Sequence, residues 1–144
     1  MRRASAKIFV ILALMIQVVV GTTAAVHATA VVSDPDRVVE VTIAENTRET
    51  FLREIEIFAD ALAFSVNFSP APSDPDQPFP LLWRNDCIIY VQPMPYDGAH
   101  RLMYRVSFYS RGFEPVSQRA LDQLVQELGS AVGKVERAVF DISR

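Results

Sequence analysis

Cys87 and His100 are the two most chemically reactive side chains after the first thirty residues, where they are the only cysteine and the only histidine. A thiol and an imidazole can act as nucleophile and general base when a third group orients them. Thirteen positions separate the two residues, however, and no orienting group is evident. Cys87 also alternates with Ile89 and Val91, which is typical of a small side chain buried in a strand. We therefore predict no catalytic dyad; the alternative role for Cys87 is a thiol that pairs with another chain.

The remaining motif-bearing residues indicate no metal, cofactor or enzyme site. Asp74 and Asp76 have alternate spacing but lack the other ligands of a calcium loop. One cysteine and one histidine cannot form a usual zinc site, which needs three or four nitrogen or sulfur ligands. The sequence contains no Gly-rich phosphate loop, serine-nucleophile motif, HExxH or CxxC. We predict that the protein binds no metal or cofactor and is not an enzyme.

Residues 101–111, rich in arginine and tyrosine, are the clearest candidate for a functional surface. Apolar residues alternate with the others there, so one side of a strand would face the core and the other would lie outside. Arginine, tyrosine and methionine are enriched where proteins dock on proteins. The predicted partner-binding residues are Arg101, Met103, Arg105, Tyr109, Arg111 and, on the preceding strand, Tyr90. The alternative is an ordinary solvated sheet face on which Arg105 pairs with Glu40 or Asp141.

The first thirty residues have the features of an export signal. Three basic residues precede an apolar run at 8–20 and an Ala-Thr-Ala cleavage site at 28–30. The run is shorter than the ~20 residues that a membrane-spanning helix needs. We predict a signal peptide at 1–30, cleaved in a bacterium, and a periplasmic or secreted mature protein. The alternative is an uncleaved signal segment, which would then be the chain's membrane anchor.

Composition narrows the classes of partner. Loss of Arg2, Arg3 and Lys7 with the leader leaves 11 of the 14 basic residues beside all 17 acidic ones, a formal net charge of −6. Such a chain does not bind nucleic acid through a basic surface. With 50% hydrophobic residues it also has enough apolar side chains for a packed core. We predict another protein as the partner, and a homo-oligomer through the same face as the alternative.

Hydrophobic patterning predicts a single α+β domain at residues 31–144, with the order β-α-β-β-α-β. Strands are predicted at 38–43, 87–92, 101–110 and 136–142. One helix is predicted from Asn46, as N-cap with Glu49, to residue 64, and a second from residue 114 to Gly129 or Gly133. This order resembles the ferredoxin-like plan, a four-stranded antiparallel sheet with two helices on one face. The other face would be free to bind a partner.

A Pro-rich loop is predicted at residues 65–81. Five prolines lie in it: Pro70, Pro72, Pro75, Pro78 and Pro80. They exclude a helix and remove donors that a sheet ladder needs. Because a loop of this length is often functional, it suggests an alternative protein, a periplasmic small-ligand sensor or small enzyme with a pocket under the loop. The lone tryptophan, Trp83, is predicted to fill one end of the core.

Overall fold

A computed structural model describes residues 34–71, 74–112 and 115–143, which form one sheet and two α-helices. The strands are β1 Arg37–Ala44, β2 Ser65–Ala71, β3 Asp74–Arg84, β4 Cys87–Met94, β5 Arg101–Ser110 and β6 Val139–Ser143. The helices are α1 Arg48–Ala61 and α2 Gln118–Val132, and a 3₁₀ turn at Glu45–Thr47 precedes α1. None of the helices in these ranges is long and apolar enough to cross a bilayer. The predicted signal peptide at 1–30 lies outside the described residues.

The sheet has six strands in the order β2-β3-β4-β5-β1-β6, and each pair of neighbours is antiparallel. The prediction of a four-stranded ferredoxin-like sheet is therefore wrong, although the protein is still α+β. The two additional strands, β2 and β3, extend the sheet beyond β4. Helix α1 consequently connects β1 to β2 at the far edge, and α2 connects β5 to β6 across β1.

Strands β2 and β3 occupy most of the sequence for which a Pro-rich loop was expected. Strand β4 pairs with β3 only from Leu81 to Arg84, so residues 74–80 have a partner strand on one side alone. Pro78 and Pro80 fall in this singly paired stretch, where a missing backbone donor is tolerated. Strand β2 is the outermost strand, which tolerates proline for the same reason. Proline therefore limited the pairing of these residues without excluding them from the sheet.

Both helices begin later in the chain than the sequence patterns predict. The N-cap of α1 is Thr47, which makes no side-chain capping bond, and Asn46 lies in the 3₁₀ turn. The predicted capping pair of Asn46 with Glu49 is therefore absent. Helix α2 begins only after Ser117, whose hydroxyl accepts a hydrogen bond from the backbone N–H of Ala120 at 3.2 Å. It ends at Gly133, one of its two predicted ends.

The hydrophobic core lies between the two helices and one face of the sheet. Alternate residues of β1, β3, β4 and β5 contribute to it, together with the apolar side of each helix. The fully buried sheet residues are Val39, Val41, Ile43, Leu82, Cys87, Ile89, Val91, Val106 and Phe108. The predicted core side of β5 is confirmed at Tyr104, Val106 and Phe108, and the predicted burial of Cys87 is confirmed as well. This alternation sends the intervening side chains to the opposite face.

Candidate partner-binding face

The side of the sheet opposite the core carries most of the predicted partner-binding residues, and we call it the open face. Both helices bury their apolar side chains on the other side, against the core. The open face is formed by Val38, Glu40, Thr42, Leu81, Trp83, Ile88, Tyr90, Gln92, Met94, Met103, Arg105, Ser107, Tyr109, Val139 and Asp141. Apolar and aromatic side chains are frequent in this set, whereas a solvated sheet face is usually polar.

Four of the six predicted partner-binding residues come together on the open face. Met103, Arg105 and Tyr109 are on the outward side of β5, and Tyr90 of β4 lies opposite Ser107, between Arg105 and Tyr109 along the sheet. Arg101 lies at the far end of β5, opposite Ala44 of β1. Arg111 follows the other end of the same strand, roughly 30 Å away by strand length, where its backbone N–H donates to the Asp86 carbonyl. Arg101 and Arg111 therefore flank the face rather than form its centre.

A row of polar side chains crosses the centre of the open face. Its members on four neighbouring strands are Gln92, Arg105, Glu40 and Asp141. One Arg105 guanidinium nitrogen, Nη2, lies 3.4 Å from Glu40 Oε1. The two side chains are 46% and 34% exposed, and an ion pair so open to water contributes little to stability. The pairing predicted for a solvated face is thus present, and the Arg105 guanidinium can still bind a partner.

Aromatic side chains lie beside this polar row. The rings of Tyr90 and Tyr109 meet edge to face, with centroids 5.6 Å apart and an interplanar angle of 82°. Trp83, on the neighbouring strand opposite Ile88, is 42% exposed. The prediction that Trp83 fills the end of the core is therefore wrong. The signal that sequence reasoning missed is alternation, because an inward Leu82 sends its neighbour Trp83 outward.

A concavity of about 750 Å³ borders the open face. Its lining includes residues 35–38, Gln92, Arg105, Ser107, Tyr109 and Ile142. The nearly buried Ser107 lies between Tyr90 and Val38 in the sheet. Two guanidinium groups, a carboxylate, a hydroxyl, an amide and a phenol thus border one depression. Together these groups can bind a carboxylate or a peptide carbonyl while the rings contact apolar surface.

Cys87 and His100 are far apart in the fold. Cys87 begins β4 and pairs with Ser110, whereas His100 precedes the opposite end of β5, roughly 30 Å away by strand length. Burial is the main cause that raises the pKa of the Cys87 thiol to about 11. The His100 side chain is 92% exposed, with Nδ1 3.7 Å from Glu45 Oε2. The two residues do not form a nucleophile–base pair, and the described ranges contain no cluster of three or more metal-ligating side chains.

We expect Cys87 to make the protein less stable at alkaline pH. Its folded pKa of about 11 lies above the ordinary value of 9.0, so the folded state keeps a proton that the unfolded state loses. Its stabilising contribution is complete below pH 9 and declines as the pH rises to 11, by about 1 kcal/mol at pH 10. Urea denaturation at pH 8 and pH 10 should show a smaller loss for Cys87→Ala than for the unaltered protein. Equal losses in the two proteins would contradict the expectation.

Comparison with known proteins assigns this chain to no family. No protein-family model matches the sequence, and no curated protein matches it significantly.

Proposed function

We propose that this chain is an exported, non-enzymatic binding protein that captures a partner protein through its open face. The observation that carries the proposal is that Arg105, the Tyr90–Tyr109 pair and the exposed Trp83 all lie on the same side of the sheet, on strands β3 to β5. Arginine, tyrosine and tryptophan dominate binding hot spots because they combine a large contact area with directional hydrogen bonding. The leader-like sequence at 1–30 supports export. An inhibitor, an immunity-type protein or an envelope-accessory protein would all act in this way.

The dimensions of the open face favour a protein over a small ligand. The five strands that form it lie about 4.8 Å apart and, with roughly 17 Å of length each, give roughly 400 Å² of surface. A partner that covers this surface buries roughly 800 Å² in total, the size of a weak or transient protein complex. The alternative of a ligand pocket under a Pro-rich loop loses its basis, because residues 65–71 and 74–81 belong to β2 and β3.

A capture experiment with charge-reversed variants tests the proposal. The protein, tagged at its C terminus, is incubated with envelope and secreted extract of its host, and co-purifying proteins are identified by mass spectrometry. Arg105→Glu reverses the charge at the centre of the open face. Arg53→Glu is the matched control, because Arg53 is exposed on α1, behind the sheet. Circular dichroism confirms that both variants are folded.

We expect one abundant protein to co-purify with the unaltered protein and with Arg53→Glu, and at least ten-fold less of it with Arg105→Glu. Loss of a central arginine contact typically costs 2 kcal/mol or more, and about 1.4 kcal/mol corresponds to ten-fold in affinity. Undiminished capture by folded Arg105→Glu would exclude the open face as the binding surface. Recovery of the bait alone from every extract would exclude a protein partner.

A further inference from the structure

A second concavity, of about 820 Å³, lies at the end of the sheet where β1 finishes and β5 begins. Its lining residues are Ala44, Glu45, Asn46, His100, Arg101 and Arg137. Two guanidinium groups and an imidazole therefore border it, against a single carboxylate. In a chain whose formal net charge is −3, this end of the sheet brings two arginines together with one glutamate. The volume is within the range of small-molecule sites.

The backbone around this cavity is strained at two of its side-chain donors. His100 and Arg137 both have φ of 58°, in the left-handed region that favours glycine. Histidine adopts this conformation more readily than most residues, but arginine rarely does. Glycine would relieve the strain at either position, yet the sequence places an imidazole at one and a guanidinium at the other. Strain of this kind concentrates where a side chain is needed for binding.

The contacts at the cavity hold its segments together and leave donors directed at solvent. The backbone N–H of Glu45 donates to the His100 carbonyl at 2.9 Å, which joins the 3₁₀ turn to the loop before β5. The Glu45 carboxylate lies 3.7 Å from His100 Nδ1, so it can orient the imidazole. Arg137 Nε lies 3.5 Å from the Glu136 carboxylate in a highly exposed pair, which leaves the rest of its guanidinium accessible.

We propose that this cavity binds a small oxyanion, a molecule that bears a phosphate or a carboxylate group. Arg101 and Arg137 supply planar donor forks that match either group, and His100 and Asn46 add further donors. The site is at the end of the sheet and does not depend on the proposed partner-binding function. The side chains that would contact the ligand are those of Asn46, His100, Arg101 and Arg137. Of these, only Arg101 is among the predicted partner-binding residues.

Titration with two simple anions tests the site. Inorganic phosphate and succinate are added separately to the ¹⁵N-labelled protein at constant ionic strength, and amide and arginine side-chain shifts are followed. We expect saturable shifts confined to residues 44–46, 100–101 and 137. Saturation by phosphate alone assigns a phosphate ligand, saturation by succinate alone assigns a carboxylate ligand, and saturation by both assigns general oxyanion recognition.

A pair of strain-relieving variants separates binding from structure. Arg137→Gly removes the donor and relaxes the backbone, so we expect at least five-fold weaker binding with a Tm that is unchanged or roughly 4 °C higher. Ala63→Gly is the matched control, because Ala63 has φ of 57° just after α1 and does not line the cavity. Ala63→Gly should change the Tm by a similar amount and bind the anions with the affinity of the unaltered protein. Arg101→Gln, which leaves the backbone unstrained, should also weaken binding at least five-fold.

Three results would overturn the proposal. The first is the absence of saturable shifts with either anion up to roughly 20 mM, a concentration that fills about 95% of a site whose Kd is about 1 mM. The second is unchanged affinity in Arg137→Gly or Arg101→Gln. The third is equal shifts at Arg53 and Arg119, exposed arginines on the two helices, since that would mean general ion binding.

Discussion

Replacement of Phe51 by alanine will lower the free energy of unfolding by about 3–5 kcal/mol. Phe51 is fully buried in the first turn of α1, and its ring centroid lies 4.7 Å from that of Tyr104 on β5. It thereby joins the helix to a central strand of the sheet. Removal of the ring leaves a cavity that strands paired on both sides cannot close. A loss of this size is a large part of the total stability of a domain, which is typically 5–15 kcal/mol.

Urea denaturation measured by far-ultraviolet circular dichroism checks this expectation. Ile57→Ala is the control, because Ile57 is on the same helix and about half exposed. It should change the free energy of unfolding by less than about 1 kcal/mol. A loss below about 2 kcal/mol for Phe51→Ala would mean that the core collapses around the missing ring, contrary to the close packing described above.

Strand β5 shows what local patterning can predict. Its apolar and polar residues alternate strictly enough that both the inward set and the outward set followed from the sequence. The inward residues Tyr104, Val106 and Phe108 are buried, and outward Arg105 lies against Glu40, one of its two predicted partners. A period of two residues defines both faces of a strand, so burial of one set determines the other.

The pairing of β2 with β3 and the left-handed backbone of Arg137 could not be predicted in the same way. Whether a proline is tolerated depends on how far the neighbouring strand extends, and β4 stops pairing with β3 at Leu81. The residue at which β4 stops pairing with β3 depends on distant parts of the chain, and no local sequence pattern predicts it. Arginine has no preference for a left-handed backbone, so the residue type at 137 does not predict this conformation. The conformation arises in the turn between α2 and β6. Trp83 is an intermediate case, since its exposure follows from Leu82 once a strand is assumed.

Arg84 links the end of α1 to the turn between β3 and β4. Its Nε and Nη2 donate to the two carboxylate oxygens of Asp86 at 2.6 and 3.0 Å, and its Nη1 donates to the Leu62 carbonyl at 2.9 Å. The guanidinium carbon lies 4.5 Å from the centroid of the Phe64 ring. One side chain thus satisfies a helix-end carbonyl, pairs with a carboxylate and covers an aromatic ring.

Replacement of Arg84 by methionine should therefore cost about 1–2 kcal/mol at pH 7, mainly because the Leu62 carbonyl loses its donor, since the pair with Asp86 is 30% and 38% exposed and contributes less. The hydrogen bond from Arg84 is the main cause that holds the pKa of Asp86 below its ordinary value of 3.8. The stabilisation from this pair is complete above that value and declines as the pH falls through the lower folded pKa. The difference in the free energy of unfolding between the unaltered protein and Arg84→Met should consequently narrow below pH 3.8 but not vanish, because the unaltered protein keeps the hydrogen bond from Arg84 to Leu62.

Arg37→Met is the control. It breaks the exposed pair with Asp122 and should cost less than about 1 kcal/mol. Equal costs for the two substitutions in urea denaturation, or a difference for Arg84→Met that is independent of pH, would show that the Arg84–Asp86 pair contributes no stability.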